Sequence, residues 1–85
     1  MDTLQLLRNY MSTETSAGED ILTSDESENL LAKGIMDSMA LLNVVSFMER
    51  EFKIGIRDED INKSNFRDLK SMAAFVERKR SGEDG

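Results

Sequence analysis

The residues best placed to do chemistry are a carboxylate and a hydroxyl side by side, Asp37 and Ser38, in the stretch Gly34-Ile35-Met36-Asp37-Ser38-Met39. Either side chain can open a helix, because its oxygen accepts a hydrogen bond from a backbone N–H that has no partner within the helix. Gly34, just upstream, lets the backbone turn tightly. The arrangement presents a serine hydroxyl at a helix start beside a fixed carboxylate, which is a hydroxyl open to modification. A plain helix cap describes the same residues, since caps of this kind open many helices.

Catalysis by the chain itself is disfavoured. The sequence holds no histidine and no cysteine, so the commonest general base, the thiolate nucleophile and thiolate metal ligands are all missing. Lys33 lies upstream of Ser38 across a turn and reads as a solvated side chain rather than a base that activates it. A calcium loop opening at Asp58, with Asp60 and Asn62 following, fails where glycine and a bidentate glutamate are needed, because Lys63 and Leu69 stand there. The serine receives chemistry rather than performs it.

The element that must position this serine is an amphipathic helix expected from Ser38 to Glu51. Its apolar residues include Leu41, Leu42, Val44, Val45 and Met48, and the spacing of Leu41, Val45, Met48 and Phe52 marks one helical face. Met39 falls off that stripe. It is either a peripheral core residue or a soft, exposed contact for partners.

Upstream, Leu4, Leu7 and Met11 predict a first helix over residues 3 to 11, with Thr3 as its cap. Residues 12 to 27 are rich in Ser, Thr, Gly and acids. They are expected to form a long connection, ordered in places and pinned to the core at Ile21 or Leu22 and again at Leu30 or Leu31. Downstream, Phe52, Ile54 and Ile56 alternate with polar residues like a strand, but no partner strand is evident, so an extended loop plugging the core is expected. Asn62 can cap a short turn carrying Phe66, with Ile61 as a further core contact. Asp68 can cap a last helix with Leu69, Met72, Ala73 and Val76 on one face and Arg78-Lys79-Arg80 at its C-terminal end, where cations suit the helix dipole.

The fold class is therefore all-α: a small bundle of three main helices plus one short helix, with a long loop between the first and second main helices. The 85 residues make one domain, 1–85, with a core at about 3–80 and a tail, 81–85, that frays. Seventeen acidic against eleven basic residues give a net charge of -6. That balance disfavours nucleic acid and anionic membrane surfaces and favours partners with basic docking faces. The start Met1-Asp2-Thr3-Leu4 lacks the basic and apolar run of a signal peptide, and no apolar run approaches membrane-spanning length. A cytoplasmic monomer is expected. Glu49, Asp58, Glu59 and Asp60 read as an exposed acidic surface: a solvated face, or a docking face that steers basic partners.

The motif Gly34-Ile35-Met36-Asp37-Ser38-Met39 opening an amphipathic helix resembles the acyl and peptidyl (aminoacyl) carrier proteins. Glu49-Arg50-Glu51-Phe52 with Ile54 and Ile56, then Asp58-Glu59-Asp60-Ile61, Asn65-Phe66 and Met72-Ala73-Ala74-Phe75-Val76, match the same family's later elements, so the likeness spans about residues 3 to 80. The resemblance implies an acyl-carrier-like fold with Ser38 as the attachment point of 4'-phosphopantetheine, taken from coenzyme A by a phosphopantetheinyl transferase that Asp37 helps to engage together with Mg²⁺. It implies a thioester-bound acyl or aminoacyl cargo, passed between a loading enzyme and downstream biosynthetic enzymes, with Met39, Leu42 and the four acids as partner contacts. Asn43, Ser46 and Arg50 stand where carriers of fatty-acid synthesis are more acidic, which sets the chain apart from those carriers, while the Gly-Ile-Met-Asp-Ser-Met form and Asn65-Phe66 look more like discrete carriers of specialised pathways, including aminoacyl carriers; a free-standing protein is expected. The other reading is a carrier-fold interaction module that is never modified.

Overall fold

The first helix begins at Thr3, as its apolar spacing suggests, but its cap lies one residue earlier. In the computed structural model, which describes residues 2–14 and 18–82, Asp2 Oδ1 accepts the N–H of Gln5 at 2.8 Å. The capping role expected of Thr3 therefore belongs to Asp2. Thr3 lies inside α1 (Thr3–Glu14), buried, and its hydroxyl donates to Glu77 Oε2 at 3.3 Å. The helix also runs past residue 11. The Ser12 and Thr13 hydroxyls fold back onto the carbonyls of Asn9 and Tyr10 at 2.7 and 2.9 Å, so side chains that usually favour turns are accommodated within the last turn.

The connection that follows holds a short helix the sequence did not announce, α2 (Gly18–Thr23). Arg8 on α1 explains why this polar segment docks. Its Nη1 donates to the carbonyls of Ile21 and Ser24 at 2.8 and 2.7 Å. Ile21 is fully buried while Leu22 is 51% exposed, and Leu30 is buried with Leu31 at the core's edge. Each apolar pair thus sends its first member inward. Beyond α2 the chain is irregular but bonded: Leu30 N–H donates to the Arg67 carbonyl at 2.8 Å and Lys70 N–H to the Glu26 carbonyl at 2.9 Å. Both bonds tie the segment to the C-terminal part of the chain.

The central helix is α3 (Ser38–Phe52). Its buried face is rotated from the one expected: Ala40, Val44, Phe47 and Met48 are buried, whereas Leu41, Val45 and Phe52 flank the core. The reason is tertiary. Tyr10 stacks on Phe47 with ring centroids 4.1 Å apart and donates its hydroxyl to the Asn43 carbonyl at 3.0 Å. These contacts turn α3 so that the 40/44/47 side meets α1 and the 41/45 side borders the next segment. Lys53 ends the helix in the left-handed region, φ 56°, at a cost of roughly 1–2 kcal/mol for a residue with a Cβ.

The strand-like stretch after α3 pairs with no strand, and none occurs among the described residues. Glu49 supplies a substitute partner, its Oε2 accepting the Ile56 N–H at 3.1 Å, while Ile54 and Ile56 lie half-buried against the core as expected. A 3₁₀ turn (Asp58–Asp60) and α4 (Lys63–Phe66) come next. Asn62 caps α4 through the Asn65 N–H at 2.9 Å. Phe66 is buried against Phe75 with centroids 5.6 Å apart, and truncating such a core phenylalanine to alanine costs about 3–5 kcal/mol.

Asp68 caps α5 (Leu69–Ser81), accepting the Ser71 N–H at 2.6 Å. The helix buries Leu69, Met72, Phe75 and Val76. Ser81 is helical, and Gly82, at φ 81°, closes the helix with its N–H on the Lys79 carbonyl at 3.2 Å. Residues 83–85 of the expected tail lie outside the described residues. The architecture is thus all-helical, with three longer helices, two short ones and a 3₁₀ turn among the described residues.

Candidate functional site

The turn before α3 is built backwards from one carbonyl. The Leu30 oxygen accepts the N–H groups of both Ile35 and Met36, at 3.0 and 3.1 Å. Gly34, at φ +76°, makes the reversal that this requires, and an L-residue with a side chain would be strained there. Met36 is buried and anchors the turn. Asp37 then takes an extended conformation, and its Oδ1 accepts the Ala40 N–H at 2.9 Å. Of the two candidate caps, the structure assigns the role to Asp37.

Ser38 is consequently the first residue of α3 and is exposed. Its hydroxyl makes no hydrogen bond to the described residues. The Leu41 N–H is satisfied by the Asp37 carbonyl at 2.8 Å and the Ala40 N–H by the Asp37 carboxylate, which leaves the N–H groups of Ser38 and Met39 open at the positive end of the helix dipole. A phosphate ester on the Ser38 oxygen would lie beside these donors, so the residues present fit a phosphodiester-linked group.

Met39 and Leu42 are 68% and 62% exposed, the largest apolar surfaces on α3. By helical periodicity they share the outward side of α3 with Ser38, Ser46 and Glu49. Met39, left open between core and surface by the sequence, is therefore a surface residue. Glu49 is eleven residues beyond Ser38, about 16 Å along the helix axis, and is exposed while it holds the Ile56 N–H.

The acidic triplet does not form one surface. Asp58 and Glu59 are exposed, and Glu59 pairs with Arg57 at 3.3 Å. Asp60, expected to be exposed, is buried. Its Oδ2 accepts from Lys79 Nζ at 2.9 Å and from the Arg57 N–H at 2.9 Å, and its carbonyl accepts from Asn65 Nδ2 at 2.8 Å. The hydrogen bond from Lys79, then the Arg57 N–H, hold the Asp60 carboxyl below its ordinary range against the opposing effect of burial. The physical reason for the correction lies far away in sequence: α5 brings a buried lysine to Asp60, and Arg78 Nη2 joins the network by donating to Asn65 Oδ1 at 2.9 Å. Arg78 and Lys79, placed by the sequence at a helix end to suit its dipole, thus bind the segment holding the 3₁₀ turn and α4.

Lys33 pairs with Glu28. The hydrogen bond and charge of that glutamate raise the lysine's pKa, so it is held as an ammonium.

Residues that the sequence did not mark as a site gather beside the start of α3. Leu31, Leu41, Ile61, Asn62, Lys63 and Phe66 line a hollow of about 180 Å³. Leu41 is one turn beyond Ser38 on the same side of the helix. No local pattern could have found this hollow, because its walls come from the segment before α3, from α3 itself and from the 61–66 segment.

The chain thus presents an exposed serine hydroxyl at the start of its central helix, behind a capping aspartate. No family model matches the chain. It is 36% identical over 73 residues, 85% of this chain and 82% of the relative, to the Probable acyl carrier protein PigG of Serratia sp. (strain ATCC 39006). The chain belongs to the acyl carrier protein family, and its role is that of a carrier rather than an enzyme. No helix among the described residues is long and apolar enough to cross a membrane.

Proposed function

We propose that this protein tethers biosynthetic intermediates on a 4'-phosphopantetheine arm joined to the Ser38 oxygen. The observation that carries the reading is the exposed, unbonded hydroxyl of Ser38 at the open end of α3, in a chain of the acyl carrier family. A phosphopantetheinyl transferase supplies the arm from coenzyme A, and the arm's terminal thiol carries cargo as a thioester. Asp37 does two things. It fixes the turn through the Ala40 N–H, and its second carboxylate oxygen would be the one to engage the transferase and its Mg²⁺. Leu42 and Met39 form the apolar part of the docking face, flanked at a distance by Glu49, Asp58 and Glu59. The partners are the transferase, an enzyme that loads the acyl or aminoacyl group, and the enzymes that work on it in the cytoplasm.

The test is intact mass after incubation with a broad-specificity phosphopantetheinyl transferase, Mg²⁺ and coenzyme A. Wild type gains the mass of one phosphopantetheine and Ser38→Ala gains none. Modification that persists in Ser38→Ala, or no gain in wild type, overturns the reading. The structure sharpens the control: because Asp37 is the cap, Ser38→Ala leaves stability within about 0.5 kcal/mol of wild type.

A further inference from the structure

Two hollows adjoin beside the start of α3. The inner one, of about 180 Å³, is walled by Leu31, Leu41, Ile61 and Phe66 with Asn62 and Lys63 at its rim. The outer one, of about 500 Å³, is bordered by Asn29, Leu31, Ala32, Lys63 and Arg67. Leu31 and Lys63 line both, so the two form one groove, apolar within and polar toward solvent.

Its charge runs against that of the molecule. The chain carries 17 acidic and 11 basic residues, yet the charged side chains lining either hollow are Lys63 and Arg67, both cations. Neighbouring acids are already engaged. Glu28 is paired with Lys33. Asp68 is buried, with Oδ1 on the Ser71 N–H at 2.6 Å and Oδ2 on Arg67 Nη1 at 3.2 Å, which leaves the rest of the guanidinium fork available. Lys63 makes no ion pair with the described residues.

The oxygens of the two lining amides already accept hydrogen bonds as well. Asn62 Oδ1 accepts the Asn65 N–H at 2.9 Å while its Nδ2 donates to the Glu59 carbonyl at 3.0 Å. Asn29 Oδ1 accepts the Ala32 N–H at 3.0 Å. The lining side chains therefore offer charged donors but no free carboxylate for an ammonium.

We propose that Lys63 and Arg67 select cargo by charge: the groove takes a short apolar acyl group that ends in a carboxylate and disfavours an aminoacyl group bearing an ammonium. This rests on the attachment of the arm at Ser38, since Leu41, one turn on, puts the groove within reach of a tethered chain. The inner hollow suits a body of a few carbons, given that an apolar cavity of roughly 150 Å³ accepts benzene. The carboxylate then lies at the outer hollow between the ammonium of Lys63 and the guanidinium of Arg67. Both cations are exposed, so their preference is modest and screened by salt.

The experiment compares three acyl groups of matched chain length, glutaryl, pentanoyl and 5-(trimethylammonio)pentanoyl, the last a cation that cannot cyclise onto its own thioester. Each is placed on the arm by the transferase from its coenzyme A thioester, and each is also titrated as its free N-acetylcysteamine thioester against unmodified protein. Mass gain reports attachment alone. Backbone amide shifts at Leu31, Leu41, Ile61 and Lys63 report the groove, and the free thioesters read it whether or not Ser38 accepts the arm. At low salt glutaryl occupies the groove about 3-fold more than pentanoyl, with 5-(trimethylammonio)pentanoyl lowest, and the ranking narrows near 0.5 M salt. The double variant Lys63→Gln/Arg67→Gln loses the ranking, and Lys63→Glu/Arg67→Glu reverses it. Equal shifts for all three groups, or a ranking that survives in the glutamine variant, overturn the proposal.

Discussion

Replacing Asp60 by asparagine keeps the side chain's shape and removes its charge. In the native protein the Asp60 carboxylate meets Lys79 Nζ at 2.9 Å, with only 12% and 7% of the two side chains exposed. The same oxygen holds the Arg57 N–H at 2.9 Å. An asparagine oxygen can still accept from that N–H, but Lys79 loses its counter-charge. Breaking a buried pair costs about 3–5 kcal/mol, and a charged hydrogen bond is worth about 1.5–3 kcal/mol. Because the asparagine oxygen still accepts a neutral hydrogen bond while the charge pairing is lost, about 2–3 kcal/mol is expected. For a domain of this size that lowers the melting temperature by roughly 10–20 °C.

Urea unfolding followed by circular dichroism measures the difference, with Asp58→Asn as an exposed control that stays within about 0.5 kcal/mol of wild type. The sign with pH follows from the lowered pKa of Asp60. Its contribution is complete above the unfolded value of about 3.9 and fades as pH falls through the lower folded value. The gap between wild type and Asp60→Asn is thus constant from neutral pH down to about 5 and closes only in stronger acid. Adding Lys79→Met to Asp60→Asn removes the orphaned ammonium and recovers part of the loss. If Asp60→Asn unfolds within 0.5 kcal/mol of wild type, or the gap closes already near pH 6, the Asp60–Lys79 pair does not hold the 3₁₀ turn and α4 to α5 as reasoned.

Asp37→Ala removes the cap bonded to the Ala40 N–H and costs about 1 kcal/mol by chemical denaturation, whereas Asp37→Ser recovers most of the stability but not the rate of arm transfer, measured by intact mass. Leu42→Asp, at an exposed position, leaves unfolding unchanged within about 0.5 kcal/mol and slows loading severalfold at every salt concentration. Reversing Asp58 and Glu59 together to lysine slows modification of Ser38 at low salt, and the deficit shrinks as ionic strength rises; an unchanged low-salt rate would make that surface a solvated face. Asp60 is excluded from the reversal because a lysine there would oppose Lys79 and perturb folding.

Local information was enough wherever a residue acts on its own neighbourhood. Asp37, Asn62 and Asp68 cap helices because each reaches an N–H three residues on, a geometry any chain entering a helix must satisfy. Gly34 at positive φ and the ordered family motifs around Ser38 were legible for the same reason. What needed the tertiary structure depends on residues distant in sequence. Arg8 makes a helix of a stretch whose composition suggests a loop, by gathering its C-terminal carbonyls. Tyr10 turns α3 so that Ala40, Val44 and Phe47 face inward, which an apolar stripe wide enough for two faces could not decide. Asp60 reads as surface among its acidic neighbours and becomes buried only because α5 delivers Lys79 to it. The groove beside Ser38 is of the same kind, since Leu31, Leu41 and Lys63 meet only when the chain folds back on itself. Periodicity and capping report what a segment prefers, while burial and charge pairing are decided by whichever distant side chain arrives.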